Sequence, residues 1–161
     1  MKHLRRFNES IEQIVSKIDS ERSKILNYWS DYYGSDEKAA DELDYYISDL
    51  EHKYKHGGSL FRVVFINDES ELNLDDLGMS WIMDKWYLDY FIGNHWMYYG
   101  KGKKHAYVFE VITEPNNVTI PSDLRGNPEE KEVNIIDMSR VKLKNLWSYY
   151  GKELNIVKSF D

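Results

Sequence analysis

Two carboxylates lie two residues apart at the start of a strand-like run. The stretch GNPEEKEVNII, residues 126–136, opens with a turn and then alternates polar and apolar residues. Successive side chains of an extended chain point to opposite faces, so Glu130 and Glu132 share one face while Val133 and Ile135 share the other. Neighbouring carboxylates repel, and strands disfavour Glu. The pair therefore indicates either a solvated strand edge or a site that uses two acids.

Two further polar residues interrupt apolar segments upstream. Arg62 lies inside LFRVVFI, residues 60–66, whose β-branched and aromatic residues predict a buried strand. Ser80 begins SWIMDKWYLDYF, residues 80–91, whose apolar spacing predicts a helix. Taken singly, the Arg is typical of an ion pair and the Ser of a helix N-cap. Their order with the Glu pair is more informative than any one of them.

In this order the residues resemble the motifs of the mono-ADP-ribosyltransferase family, in its Arg–Ser–Glu branch. That family has an aromatic-Arg pair on its first core strand, a Ser motif leading into an aromatic-rich segment, and Glu-x-Glu before a hydrophobic strand. The matching residues are Phe61-Arg62, Ser80 within GMSWIMDKWYLDYF, and Glu130-Lys131-Glu132. The resemblance covers residues 60–137. The Ser motif departs from the family pattern, because it reads Ser-Trp-Ile and lacks the hydroxyl residues that often follow.

The resemblance implies a reaction in which the bond between nicotinamide and the ribose of NAD breaks, which develops positive charge on the sugar. Glu132 is then the carboxylate that stabilises this charge, and Glu130 orients and deprotonates the acceptor, typically an arginine guanidinium. Arg62 would bind the phosphates or ribose of the dinucleotide. Ser80 would hydrogen-bond Glu132, and Trp81 belongs to the same cofactor-binding motif.

The same resemblance implies partners and a setting. Residues 94–104 would close over NAD, and residues 121–129 would recognise the target. The expected partners are NAD, consumed as a substrate, and a protein acceptor. Small cysteine-free transferases of this type resemble those of tailed bacteriophages, and the opening MKHLRRFNES is similar to that of many small phage proteins. The acceptor would then be a host protein in the host cytoplasm.

Two kinds of periodicity divide the chain. Apolar residues at helical spacing predict helices over residues 9–29 and 36–54, with Gly34 and Gly57-Gly58 as stops and Ser10, paired with Gln13, as a capping box. Strands are predicted at residues 60–66, 106–112, 131–136 and 153–160, whereas residues 139–150 fit either a strand or a short helix. We therefore predict one α+β domain spanning residues 1–161. A helical hairpin (1–56) packs on a split, mostly antiparallel, ADP-ribosyltransferase-like core (57–161).

Composition narrows the class of protein. The chain has 161 residues, 42% of them hydrophobic, which is enough for a sizeable core. Its net charge of −7 gives no global basic field, so nucleic acid is not an expected partner. The absence of Cys excludes disulfides, thiolate catalysis and cysteine zinc sites. No apolar run approaches the roughly 18 residues of a membrane span, and no signal segment is apparent, so we expect a soluble, cytoplasmic protein without a membrane partner.

Three alternatives stay open. A glycohydrolase that passes the sugar to water would need Glu132 and depend less on Glu130. A non-catalytic interaction protein of the same fold could bind or inhibit a host factor through its hairpin, aromatic residues and acidic surface. His52 and His56 are spaced to bind a metal on one helix face, but no third ligand is evident and no metal site is predicted.

Overall fold

The chain folds as a layer of helices on an antiparallel sheet. The computed structural model describes residues 9–73, 78, 80–89, 91–93, 105–124, 131–150 and 153–160. The helices are α1 (Ile11–Ser20), α2 (Arg22–Tyr33) and α3 (Asp36–His56). The strands are β1 (Gly58–Ile66), β2 (Ser80–Ile82), β3 (His105–Thr113), β4 (Val118–Thr119), β5 (Glu132–Ile135), β6 (Val141–Tyr150) and β7 (Glu153–Ser159). The predicted α+β class is confirmed at this level.

Local signals predict where α1 and α3 begin and where α2 and α3 end. Ser10 and Gln13 form a reciprocal capping box at α1, and the Ser35 side chain accepts a hydrogen bond at the start of α3. Gly34 follows α2, and Gly57 follows α3. The single helix predicted over residues 9–29 is wrong in one respect. Its path breaks at Glu21, whose backbone departs from helical geometry, so the segment forms α1 and α2.

The strands form one sheet in the order β4-β5-β2-β1-β3-β6-β7, and every pairing is antiparallel. The predicted antiparallel core is therefore confirmed. Its strands join in one sheet, and the predicted split corresponds to one weak junction. β1 pairs with β3 along its whole length from Gly58 to Ile66, whereas it pairs with β2 only at Phe61 and Ile82. The sheet consequently opens between β1 and β2 beyond this single position.

Two hydrophobic clusters cover the two faces of the sheet. The larger one joins the three helices to alternate strand residues such as Leu60, Trp81 and Val133. The smaller one covers the opposite face and includes Phe61 and Ile82 together with residues that follow β2. Burial on both faces explains why the central strands are rich in apolar residues at consecutive positions. Among the described residues, no helix has both the length and the apolar character needed to cross a membrane.

One segment of the core was misassigned from the sequence, one short strand was not predicted, and one segment was left open. The helix predicted over residues 80–91 is wrong at its start, since Ser80–Ile82 is strand β2 and a 3₁₀ turn follows at Lys85–Tyr87. The short strand β4, at Val118–Thr119, was not predicted. Residues 139–150, for which strand and helix were both open, form a 3₁₀ turn and then β6. The strands at 60–66, 106–112 and 153–160 are confirmed to within two residues at each end.

Candidate active site

A cleft lies where β1 and β2 separate. It has a volume of about 520 Å³ and is bordered by β1, β2, the start of β5 and the segment after β2. Its lining residues are Phe61, Arg62, Val63, Val64, Phe65, Ser80, Trp81, Ile82, Phe91 and Glu132. Four of the predicted site residues, which the sequence separates by up to 70 positions, therefore border the same space.

Arg62 lies in the opening between the two strands. Its position in the strand places it on the helix side of the sheet, as for Leu60, and its Nη1 donates a hydrogen bond to the carbonyl oxygen of Ser80 at 2.8 Å. Gly78 lies against the guanidinium, since a Cβ at this glycine would be 3.1 Å from Arg62 Cζ. The guanidinium therefore bridges β1 to β2 where the ladder of backbone hydrogen bonds is missing.

Ser80 and Trp81 begin β2 and point to opposite faces. The Ser80 hydroxyl donates to Oδ1 of Asn134, its pairing partner on β5, at 3.3 Å. This bond takes the place of the predicted bond from Ser80 to Glu132. Trp81 is buried against the helices, and its Nε1 donates to the carbonyl of Gly78 at 3.0 Å. Both residues border the cleft, and Trp81 also anchors β2 in the core.

Glu132 is the first residue of β5. It is paired with Ile82, so its side chain lies on the same face as Ser80 and Asn134, while Val133 points into the core beneath the helices. Glu132 is half-buried and borders the cleft. β5 lies between β4 and β2, but β4 pairs only with Asn134 and Ile135, so the strand partner of Glu132 is Ile82 of β2.

Several predicted elements lie outside the described residues. These are Glu130, the nicotinamide-covering segment 94–104 and most of the target-recognition segment 121–129. Of the last segment, residues 121–124 are described, and the Leu124 carbonyl accepts a hydrogen bond from Trp29 Nε1 at 2.8 Å. That bond ties the beginning of the segment to helix α2.

Charged side chains surround the entry to β5. Lys131 Nζ lies 3.9 Å from Asp49 Oδ2 of α3, and Lys53 of the same helix donates to the carbonyl of Ser59 at 2.8 Å. Burial, together with the charge of Asp49, raises the pKa of Asp84 above its ordinary value, against the opposing charges of Lys131 and Lys53. Burial lowers the pKa of Lys53, against the carboxylates of Asp84 and Asp49. The cluster therefore holds charge of both signs around Lys131, the residue that precedes Glu132.

Two contacts at this site were not predicted from the sequence. Asn134 meets Ser80 because β2 and β5 pair in that register, and the only local signal is its spacing of two from Glu132. Tyr46 of α3 donates its hydroxyl proton to the backbone carbonyl of Glu132 at 2.6 Å. Burial and the nearby charge of Glu132 raise the Tyr46 pKa far above its ordinary value, so this hydroxyl remains a donor.

The arrangement combines a cation, a carboxylate and aromatic walls in one concave space. A carboxylate in a partly desolvated position stabilises positive charge better than one in bulk water. A guanidinium suits phosphate or carboxylate groups, and the rings of Phe65 and Phe91 suit a planar heterocycle. Within the described part of the chain, no group of three or more His, Cys, Asp or Glu residues could hold a metal ion.

Comparison with known proteins gives no match. No protein-family model, no curated protein and no solved structure matches this chain.

Proposed function

We propose that this protein transfers ADP-ribose from NAD to a protein side chain, with arginine as the favoured acceptor, and releases nicotinamide. The supporting observation is that Arg62, Ser80 and Glu132, one residue from each of the three motifs that carry the family resemblance, border one cleft. Its volume of about 520 Å³ lies in the range of small-molecule sites.

Glu132 is assigned the charge-stabilising role. The bond between the anomeric carbon of ribose and the nicotinamide nitrogen breaks, and nicotinamide leaves with the electron pair as a neutral molecule. The positive charge that develops on the sugar is stabilised by a nearby carboxylate. Glu132 is half-buried and borders the cleft, so water screens its charge less than that of an exposed glutamate.

Arg62 and the aromatic residues are assigned to binding of the dinucleotide. A guanidinium carries five N–H donors, and the bond to the Ser80 carbonyl uses one of them. The others can bind a phosphate of NAD in the bidentate manner that favours arginine over lysine. Phe65 and Phe91 offer apolar walls for the nicotinamide or adenine ring.

The transfer step requires a proton acceptor. The attacking nitrogen of the acceptor forms a bond to the anomeric carbon and loses a proton as it does so. By resemblance Glu130 receives this proton. A water molecule in place of the acceptor would give free ADP-ribose by the same bond cleavage, which is the glycohydrolase reaction.

The test uses labelled NAD, the purified protein and a bacterial lysate as the source of acceptor. We expect label on a lysate protein or on the enzyme itself, and a loss of about 100-fold or more in Glu132→Gln. Glu114→Gln is the matched control, because Glu114 is exposed, forms an ion pair with Arg140 and does not border the cleft. This control should retain the wild-type rate.

Each other outcome has a distinct meaning. If the product is free ADP-ribose and its formation requires Glu132 but not Glu130, the reaction is hydrolysis of NAD and not transfer. Equal turnover in Glu132→Gln and wild type would exclude Glu132 from the chemistry. Absence of both turnover and NAD binding, measured by calorimetry on folded protein, would refute the proposal and favour a non-catalytic interaction protein.

A further inference from the structure

Helix α3 contacts two consecutive residues at the entry to β5. The Tyr46 hydroxyl donates to the backbone carbonyl of Glu132, and Asp49, one helical turn later, lies 3.9 Å from the ammonium of Lys131. Tyr46 and Lys131 are 2% and 8% exposed. The helical hairpin therefore contacts the candidate carboxylate's own peptide unit through a buried hydroxyl. It contacts the residue before it through Asp49, whose side chain is 44% exposed.

The backbone at Lys131 is unusual. Its φ of +44° lies in the left-handed region, which residues other than glycine adopt only when the surrounding structure holds them there. Asp49 contacts its ammonium from α3, and the ammonium also lies 5.1 Å from the ring centre of Tyr87. Lys131 immediately precedes β5, so its conformation sets the direction in which the strand and the Glu132 side chain leave this bend.

We propose that Tyr46 and Asp49 are positioning residues that hold the Glu132 carboxylate toward the cleft. Tyr46 fixes the carbonyl of Glu132, and Asp49 fixes the side chain of the residue before it. The proposal rests on the proposed function in treating Glu132 as the charge-stabilising carboxylate. It makes the helical hairpin part of the active site instead of a separate support for the sheet.

Kinetics on matched variants test the proposal. Tyr46→Phe removes only the hydroxyl. Tyr54→Phe makes the same change on the same helix, where the hydroxyl donates to the carbonyl of Glu9 at 2.9 Å, and Tyr54 does not border the cleft. A displacement of about 1 Å at a reacting group can cost about 100-fold in rate. We expect kcat for NAD turnover to fall at least tenfold in Tyr46→Phe with KM changed less than twofold, and both constants to stay within twofold in Tyr54→Phe.

A second pair of variants, at Asp49 and Asp44, distinguishes the contact between Asp49 and Lys131 from an effect on the stability of the fold. Asp49→Asn should lower kcat, and Asp49→Glu, which restores the charge, should recover most of it. Asp44 lies on the same helix as Asp49 and forms an ion pair with Arg22 of α2, so Asp44→Asn should leave kcat unchanged. These assays are run below the unfolding temperature of every variant, so loss of stability alone would not change kcat. If Tyr46→Phe does not fold, the Asp49 variants still test the positioning role.

A measurement without turnover distinguishes this proposal from the proposed function. The ¹³C resonance of the Glu132 side-chain carboxylate, assigned by comparison with Glu132→Gln, should move in Tyr46→Phe and Asp49→Asn but not in Tyr54→Phe and Asp44→Asn. If the wild type turns over no NAD, the proposed function fails and this resonance still tests the positioning role. An unchanged resonance and unchanged kcat in the folded variants would overturn the positioning role.

Discussion

Glu110 is a buried carboxylate with several hydrogen-bond donors around it. These contacts predict how much its removal lowers the free energy of unfolding. The residue is 6% exposed, in the middle of β3. Its oxygens accept hydrogen bonds from Ser59 Oγ at 2.7 Å, Asn145 Nδ2 at 2.8 Å and Trp147 Nε1 at 3.1 Å. A shift in register beside Glu110 leaves Lys144 without a pairing partner on β3, and its ammonium lies 3.6 Å from the carboxylate.

Substitution by alanine should cost about 3 kcal/mol in the free energy of unfolding. Each bond to a charged acceptor contributes about 1.5–3 kcal/mol, but burial of the carboxylate opposes this gain, and Ser59 is only half-buried, so the three do not add. In a chain of 161 residues, 3 kcal/mol corresponds to a fall of roughly 6–12 °C in Tm. Glu110→Gln keeps an acceptor for Asn145 and Trp147, and it should cost about 1 kcal/mol.

Urea unfolding of the wild type, Glu110→Ala and Glu110→Gln measures these differences. Glu114→Ala is the control. Glu114 forms an ion pair with Arg140 and its side chain is 62% exposed. An exposed pair of this kind contributes less than about 1 kcal/mol to the free energy of unfolding. Equal losses of unfolding free energy in Glu110→Ala and Glu114→Ala would refute the reasoning. They would mean that removing the acceptor of the buried donors costs no more than removing an exposed ion pair.

The pH dependence has a definite sign. Burial opposes the charge of Glu110, but the hydrogen bonds from Asn145, Ser59 and Trp147, with the charge of Lys144, hold its pKa below the ordinary value of 4.5. A depressed pKa contributes stability that is fully present above the unfolded-state pKa and is lost as pH falls through the folded-state pKa. The stability difference between wild type and Glu110→Gln should therefore be constant near pH 7 and shrink below about pH 4.5. A difference that grew on acidification would show that the sign is wrong.

Two glycines give further predictions from backbone geometry. At Gly57, φ is +67° and an added Cβ would collide with the backbone carbonyl of Thr113, so Gly57→Ala should cost more than about 3 kcal/mol in urea unfolding. At Gly78, φ is +73° and the Cβ would press on the guanidinium of Arg62, so Gly78→Ala should cost about 1–2 kcal/mol and weaken NAD binding in calorimetry. Gly93→Ala is the control, because nothing lies within 4 Å of its Cβ; equal effects at all three positions would exclude both steric arguments.

The helices and long strands were predictable because their signals are local. The capping box at Ser10 and Gln13 involves residues three apart, and Gly34 and Gly57 end their helices by their own backbone geometry. The strands at residues 60–66 and 106–112 have buried residues on both faces, which gives the continuous apolar runs seen in the sequence. In these segments propensity, pattern and tertiary packing agree.

Strand β2 was not predictable for the opposite reason. The run at residues 80–91 has helical apolar spacing, yet Ser80–Ile82 is extended because it pairs with β5, about fifty residues later in the chain. Three residues cannot form a stable strand alone, so this pairing overrides local propensity. The Glu110 cluster escaped prediction similarly, since its acceptor and donors are 35 to 51 residues apart.

The candidate site shows the same division between residue types and geometry. The motif order was enough to select Arg62, Ser80 and Glu132, which border the cleft together. Their orientation depends on β2, which pairs with β1 at one position and with β5 at three. So short a ladder holds the two strands weakly, and contacts from other elements must supply the rest. Arg62 bridges β1 to β2, and Tyr46 bonds the backbone of β5 from the helix layer. The geometry of the cleft should therefore be more sensitive to these two side chains than to strand propensity within β2.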